Sequence, residues 1–305
     1  MSERPFMRQA EFMVWDASLP IANLTDENYA VKILADGSRN TLRVRFSIQR
    51  SILGVPICSD ISIYNLSNKT QAILRTAMMR CRLRVGWQNY GLYDIFRGQI
   101  MTAVTDKQNA DYITTVKALT VLGDMTYSTI ANSYTEGMPI KNVLEDVVST
   151  LPDIKWDEQR ISIPDYKVGY KGLVVAGRSK DCLDKLALQY GFSWSVHFGV
   201  FQAIIDGDAG FSTTATLFSS NSTLKKILPI LVGPTQIQSG VSIRAILQPF
   251  VWPGDRVSVQ SSVNAYLNSG FNPDGTYTCH TINYDGDTGG NEWDMEIQSF
   301  KNFGG

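Results

Sequence analysis

One stretch of the chain has the residue types and the spacing of a calcium-binding loop. Asp285, Asp287 and Glu296 stand at the first, third and twelfth places of such a loop, where carboxylate oxygens could bind Ca²⁺. Gly289, however, occupies the fifth place, where an oxygen ligand is wanted, and the flanking residues alternate as strands, whereas the motif lies between helices. Asp and Gly are also what a hairpin turn demands. We therefore interpret this stretch as a turn and predict no metal site.

Histidine, the side chain that most often acts as a catalytic base, is scarce. The chain has two histidines, and both lie in stretches that alternate as strands. His197 shares a strand face with Ser193 and Ser195, and His280 precedes the predicted hairpin turn. We expect each histidine to be hydrogen-bonded or to face solvent. Because the chain also lacks a nucleophile elbow, a zinc-protease motif, a Walker loop and a dinucleotide fingerprint, we predict that it is not an enzyme and has no cofactor.

Arginines form two rows that could meet a partner. The first row is Arg43 and Arg45, and the second is Arg80, Arg82 and Arg84. Because side chains alternate between the two faces of a strand, the members of each row lie on a single face of their strand. A solvated outer face is the ordinary role of such rows, and the alternative is a basic stripe that meets an acidic protein surface or nucleic acid. Base-stacking aromatic residues are not interleaved with them, which argues against nucleic acid. The five arginines are therefore candidates for an interface or a channel face.

Composition and charge exclude several other classes of protein. A chain of 305 residues can hold two or three domains, and its formal net charge of −1 argues against a dedicated nucleic-acid binder. The cysteines form no close pair, which argues against a zinc site or a disulfide framework; they are Cys58, Cys81, Cys182 and Cys279. No apolar signal region and no stretch of about 18 apolar residues occurs, so we expect neither export by a cleaved signal nor membrane insertion.

Both arginine rows lie in a region where apolar and polar residues alternate, as they do in strands. Strands are predicted at 10–18, within 30–50, and at 59–64, 80–87, 92–105 and 112–122. Ser67 is predicted to cap a short helix over 68–77. Six or so strands are enough to close into a barrel, so residues 1–122 are expected to form a β-barrel domain.

The pattern changes after residue 122. Residues 126–132 look helical, the stretch beginning at Pro139 predicts a helix with one apolar face, and Ser179 is predicted to cap a further helix that stops at Gly191. Two short strands follow, and 206–235 cannot be assigned. From residue 236 strands return and end in a long hairpin, 276–284 with 291–300. The sequence thus predicts a mainly β fold: a mixed α+β domain at 123–235 is inserted between β domains at 1–122 and 236–305.

Short motifs, in order along the chain, resemble the central hub proteins of phage baseplates. The matching stretches are Ile61–Thr70 followed by Arg82–Trp87 and Ile95–Ile100, then Glu136–Leu144, Ser239–Val257 and Tyr277–Trp293. Tyr284 and Asp285 depart from the family pattern, since they stand where a histidine is usual. The resemblance extends over most of the chain, and the family is related to the hub part of type VI secretion spike proteins.

The resemblance implies a structural virion protein. It implies two tail-tube-like β-barrel domains per chain, so that a homotrimer presents six barrel units and adapts a six-fold tail tube to a three-fold spike. The implied partners are the tail tube, spike, tape-measure and other baseplate proteins, with genomic DNA as a transient cargo of the channel during ejection. The protein is expected in the tail baseplate of a virion, and the tail is expected to be contractile. Assembly is expected to take place in the cytoplasm of the bacterial host. The spike is expected to be a separate polypeptide.

Two other functions stay open at this point. The first is a tail-associated cell-wall hydrolase, which would need paired carboxylates about 5 to 9.5 Å apart at a cleft. The acidic pairs Glu145/Asp146 and Asp181/Asp184 lie on predicted helices and are plausible surface charges. The second is a carbohydrate-binding tail-tip module. It is disfavoured because the tryptophans fall mostly at strand positions expected to be core.

Overall fold

The computed structural model of the chain describes residues 8–19, 28–38, 40–53, 57–77, 79–88, 91–120, 127–205, 211–218, 227–237, 240–247, 251–260 and 274–301. None of the helices in these ranges is long and apolar enough to cross a membrane. Residues 121–126, where the sequence places the end of the first domain, lie outside them.

Seven strands and one short helix make up the first part of the chain. They are β1 (Arg8–Asp16), β2 (Val31–Ala35), β3 (Val44–Ser51), β4 (Cys58–Tyr64), α1 (Asn68–Leu74), β5 (Met79–Trp87), β6 (Gly91–Gln108) and β7 (Asp111–Leu119). The alternation that predicted β3 is confirmed, because Val44, Phe46 and Ile48 are buried in the core. Ser67 caps α1 as predicted, since its hydroxyl accepts a hydrogen bond from the Thr70 N–H at 3.2 Å.

The middle part mixes helices with short strands around a core of its own. Its elements are β8 (Thr129–Tyr134), α2 (Ile140–Ser149), a single 3-10 turn (Glu158–Arg160), β9 (Ile161–Ser162), β10 (Leu173–Arg178), α3 (Ser179–Tyr190), β11 (Phe192–His197) and β12 (Val200–Ile205). The predicted apolar face of α2 is confirmed, and all of its members are buried: Ile140, Val143, Leu144, Val147 and Val148.

Two predictions for this part are wrong. The stretch predicted to be helical at 126–132 is strand β8 from Thr129 onward, because it pairs residue by residue with β10. Its buried residues Ile130 and Tyr134 are four apart, a spacing that fits both a strand and a helix. Ser179 does not cap α3; Arg178 is the cap residue. Ser179 is already helical and buried, and its hydroxyl lies 2.7 Å from that of Thr150.

Six strands complete the chain. They are β13 (Phe211–Phe218), β14 (Ile227–Ile237), β15 (Gly240–Ile246), β16 (Asp255–Gln260), β17 (Gly275–Asp287) and β18 (Trp293–Lys301). β13 and β14 fall in the stretch that the sequence left unassigned, and they pair with β16 and β15 respectively. The long hairpin near the C-terminus is present, with β17 and β18 antiparallel.

Strands from both ends of the chain belong to one thirteen-stranded sheet. Its order is β16-β13-β14-β15-β18-β17-β3-β4-β7-β6-β5-β1-β2, and β16 also pairs with β17. The joint is the antiparallel pairing of β3 with β17, which runs from Ser51–Thr281 to Arg45–Asp287. The mainly β class predicted from the sequence is therefore observed. Two separate barrels are not observed, because in the described part of the chain the first seven strands do not close on one another and share both sheet and core with the last strands.

Candidate functional site

The outward face of the joined sheet is polar where the two ends of the chain meet. The pairing register places Ser47 beside Asp285 and Asp285 beside Asp294; Gln49 lies beside Asn283, which lies beside Glu296. The residues between them point inward and are buried in the shared core, which includes Phe46, Ile48, Tyr284, Met295 and Ile297. This outward surface of β3, β17 and β18 is hereafter the joint face.

Arg43 and Arg45, the first predicted row, bind the hairpin at the joint face. Arg43 makes a bidentate ion pair with Asp287, with Nε–Oδ1 at 2.9 Å and Nη2–Oδ2 at 2.5 Å. Its guanidinium also lies 4.7 Å from the centre of the Tyr64 ring, within cation–π range. Arg45 pairs with Glu292 at 3.2 Å, and both of these side chains are about half exposed. The row therefore fastens β3 to the β17–β18 hairpin.

The second row lies on β5, which is separated from β3 by β4, β7 and β6. Arg80 pairs with Asp153 of the middle part. Arg82 forms a bidentate pair with Asp94, and Arg84 pairs with Glu11 at 2.9 Å. All five predicted arginines thus have a carboxylate partner in their own chain, and the structure does not bring the two rows together.

The calcium-loop lookalike is a hairpin end in the structure. Asp287 closes β17, and its carboxylate accepts hydrogen bonds from Arg43 and from the Gly289 N–H at 2.9 Å. Burial opposes ionisation of Asp287, but these hydrogen bonds outweigh it and hold its pKa below the usual value. Glu296 points instead to the Ser242 hydroxyl at 2.6 Å. Among the described residues, no group of three or more His, Cys, Asp or Glu side chains could hold a metal ion.

The turn between β11 and β12 joins the middle part to the sheet. The Phe198 ring lies with its centre 3.6 Å from the Arg50 guanidinium carbon and 5.1 Å from the Trp252 ring centre. Phe198 and Gly199 both have positive φ, 56° and 76°, as a tight two-residue hairpin turn requires. A Cβ at position 199 would lie 2.8 Å from the Asp153 carbonyl oxygen, so the turn also needs glycine for space.

Arg50 is a fully buried arginine without a carboxylate partner among the described residues. One of its terminal nitrogens donates to the Ile95 carbonyl, while Nε and Nη1 have no hydrogen-bond partner in the part of the chain that is described. Ile95 is the extra residue of a bulge in the β5–β6 pairing, so Arg50 satisfies a carbonyl near the interrupted ladder. Burial lowers the pKa of Arg50 to about 10, and it remains charged at neutral pH.

His197, which the sequence places on a strand face with Ser193 and Ser195, is buried beside this turn. Its Nε2 lies 3.1 Å from the Ser195 hydroxyl, which accepts a hydrogen bond from the Gln202 amide at 2.9 Å. The same amide donates to the Pro253 carbonyl at 2.9 Å. The expectation of a hydrogen-bonded histidine is confirmed for His197. The other histidine, His280, is half-buried, with Nδ1 3.3 Å from the Thr281 hydroxyl.

The sequence interpretation missed Arg50, Phe198 and Trp252. A signal for Arg50 was present, because it continues the inward positions Val44, Phe46 and Ile48 and so puts a charge on the buried face of β3. No comparable signal marks Phe198 or Trp252, whose roles depend on contacts between distant segments.

Comparison with known proteins shows similarity of fold at low sequence identity. No family model and no curated protein sequence matches the chain. A tail protein from Neisseria meningitidis MC58 superposes with a TM-score of 0.55 at 11% identity, over 96% of each chain. An E. coli component of the type VI secretion system, described as structurally similar to bacteriophage T4 tail proteins, gives 0.55 at 10% identity over 87% of this chain and 75% of its own.

A third solved structure, the 43 kDa tail protein of prophage MuSo2 from Shewanella oneidensis, gives a TM-score of 0.52 at 10% identity, over 88% of this chain and 97% of its own. The motifs that resemble baseplate hub proteins therefore lie in a chain whose architecture matches two tail proteins and a component of the type VI secretion system. The protein has the tail-hub fold, shared by phage tail proteins and by components of the type VI secretion system.

Proposed function

We propose that the protein is a structural baseplate hub: a homotrimer that adapts the six-fold tail tube to the three-fold spike and surrounds part of the channel for DNA ejection. The observation that carries the proposal is the match of nearly the whole chain, 96%, to a tail protein of almost equal extent. A structural tail or baseplate role needs no catalytic group. In keeping with this, the five arginines singled out from the sequence are engaged in ion pairs within the chain.

The proposed domain division keeps the sequence boundaries with one change. We retain a first tube-like domain at 1–122 and a middle domain from 123. We move the start of the last domain from residue 236 to the stretch between Ile205 and Phe211, because β13 pairs with β16 and β14 with β15. Each trimer would then present six tube-like units, three from each end of the chain.

The joint face is the surface that we propose for the channel. Its nine outward residues in Arg45–Gln49, Asn283–Asp287 and Asp294–Gln298 include four carboxylates and one arginine. Asp287 and Asp294 are paired with Arg43 and Arg244, which leaves Asp285 and Glu296 as the carboxylates of this face without an ion pair among the described residues. Their like charge keeps a polyanion from adhering during passage. Arg43 and Arg45 would hold this wall together. Arg80, Arg82 and Arg84, in contrast, serve contacts inside the chain, and we do not assign them to the channel.

The partners that we propose are the tail tube, spike, tape-measure and other baseplate proteins, in a virion tail assembled in the host cytoplasm. Light scattering on the purified protein tests the trimer. Three chains of 33.9 kDa give a particle of about 102 kDa, and class averages in electron microscopy should show a ring with pseudo-six-fold symmetry. A strictly monomeric species at tens of micromolar, with no ring, would refute the proposal. Clearing of peptidoglycan in a zymogram would favour the hydrolase instead.

A further inference from the structure

Two hydrophobic cores in this chain are separate. One unites the strands of both ends with α1, and the second lies wholly in the middle part, between Ile130 and Ala203. Between them, the described residues contain a single small apolar cluster, Ile52 with Ile204. Polar and aromatic contacts also cross the boundary. Interfaces of this kind permit one body to move relative to the other.

Most of these contacts gather around the β11–β12 turn. Phe198 lies between Arg50 of β3 and Trp252 of the segment before β16. The Phe198 carbonyl accepts a hydrogen bond from Arg97 at 3.4 Å, and the Gln202 amide reaches the Pro253 carbonyl. Arg160 pairs with Asp255 at 2.5 Å, and its guanidinium lies 4.3 Å from the Trp252 ring centre. We call this set of contacts the latch.

His197 lies inside the latch in a position that resists protonation. Two cationic groups face it, Arg50 from β3 and Arg160 from the 3-10 turn. The carboxylate of the latch, Asp255, is already engaged by Arg160 and by the Trp252 backbone N–H at 2.9 Å. Nδ1 of His197 has no hydrogen-bond partner among the described residues. Burial, followed by the charges of Arg50 and Arg160, holds the pKa of His197 well below its usual value.

We propose that residues 127–205 form a separately folded body latched onto the sheet through Phe198, and that proton uptake by His197 opens the latch while both cores stay folded. In the closed form the imidazolium would be a second buried cation beside Arg50, and the described residues show no carboxylate paired with either of them. In the open form the imidazole is hydrated and takes up a proton near its ordinary pKa of 6.5. The inference concerns motion within one chain and does not depend on the trimer.

The direction with pH follows from proton linkage. Because the closed form has the lower histidine pKa, the open form binds more protons below about pH 6.5. The ratio of open to closed molecules therefore rises as the pH falls, by up to about tenfold per pH unit for one proton. Above that pH the ratio is constant.

Hydrogen exchange measured by mass spectrometry between pH 7.5 and 4.5, corrected for the intrinsic pH dependence of exchange, tests the proposal. We expect deprotection of 195–205 and 251–256 on acidification, while β6, β7 and α2 stay protected. His197→Gln should abolish this pH dependence, because glutamine can still hydrogen-bond Ser195 but does not titrate. His280→Gln is the matched control, since it removes the second histidine of the chain and should leave the pH dependence unchanged.

Phe198→Ala provides a second readout that needs no titration. It should deprotect the same two segments at pH 7.5 without lowering protection in β6, β7 or α2. The proposal is overturned if the latch segments and both cores lose protection together, or if His197→Gln retains the pH dependence of the wild type. It is equally overturned if Phe198→Ala leaves the latch segments as protected as before.

Discussion

The ion pair between Arg43 and Asp287 joins the two ends of the chain and should contribute to the free energy of unfolding. Replacing Asp287 by alanine removes two charge-assisted hydrogen bonds from Arg43 and one from the Gly289 N–H. Arg43 is 43% exposed, so solvent screening reduces the contribution of the pair to about 1–2 kcal/mol. The turn hydrogen bond adds about 1 kcal/mol. We therefore expect Asp287→Ala to lower the free energy of unfolding by about 2–3 kcal/mol.

A double-mutant cycle measured by urea unfolding isolates the pair. Arg43→Ala also loses the contact with the Tyr64 ring, but that loss is the same with and without Asp287 and drops out of the cycle. We expect a coupling energy of about 1–2 kcal/mol. The matched control is the pair Arg45 and Glu292, which joins the same two elements but is 55% and 49% exposed, and its coupling should be close to zero.

Equal coupling energies for the two pairs would refute this reasoning, because the difference in burial and geometry would then have no energetic effect. Additivity of the Arg43 and Asp287 substitutions, within about 0.3 kcal/mol, would do the same. In that case the β3–β17 backbone ladder and the apolar face of the joint would hold it without a contribution from this ion pair.

Three further substitutions test the packing, the close strand approach and the helix cap. Leu83→Asp should abolish cooperative thermal unfolding, because Leu83 is fully buried and an unpaired carboxylate there lowers the free energy of unfolding by more than about 5 kcal/mol. Leu83→Ala should lower the free energy of unfolding by about 3–5 kcal/mol. An unchanged melting temperature for Leu83→Asp would contradict the strand register. Gly240→Ala should lower the free energy of unfolding measured in urea, because its Cβ would lie 1.9 Å from the Ser299 carbonyl oxygen and push β15 away from β18. Gly169→Ala is the control: space is open around this position, so the substitution should leave the free energy of unfolding unchanged or raise it by about 0.4–1 kcal/mol. Ser67→Ala should cost about 1 kcal/mol of unfolding free energy through loss of the α1 cap, and a cost near zero would show that the hydroxyl contributes nothing.

Local patterns were sufficient where each element buries one regular face. The alternation of β3 and the five apolar residues of α2 identify those elements without reference to the rest of the chain. β8 was assigned wrongly because its two buried residues are four apart and the intervening ones are exposed, so that only its pairing with β10 distinguishes strand from helix. The residues paired between β8 and β10 are 39 to 49 positions apart in the sequence, so the pairing leaves no trace in a local window.

The joint and the latch were beyond sequence reasoning for a related reason. Arg43 and Arg45 were recognised as one face of a strand, but their partners Asp287 and Glu292 lie more than 240 residues away. The polar residues at the hairpin end were interpreted as a turn, but the sequence could not show that Arg43 contacts Asp287 and gives it a structural role. Complementary charges at such a separation can be matched only after the strand order is known.

The pairing of β3 with β17 has a consequence for how the protein is made. A ribosome completes the first seven strands well before Thr281–Asp287 emerge, so throughout that interval β3 presents an unpaired edge and its inward side chains lack their final cover. The closure of so long a loop is entropically slow compared with hairpin formation among neighbouring strands. Nascent chains are consequently vulnerable to aggregation until synthesis reaches the last hairpin, and the protein matures late, when its two ends meet.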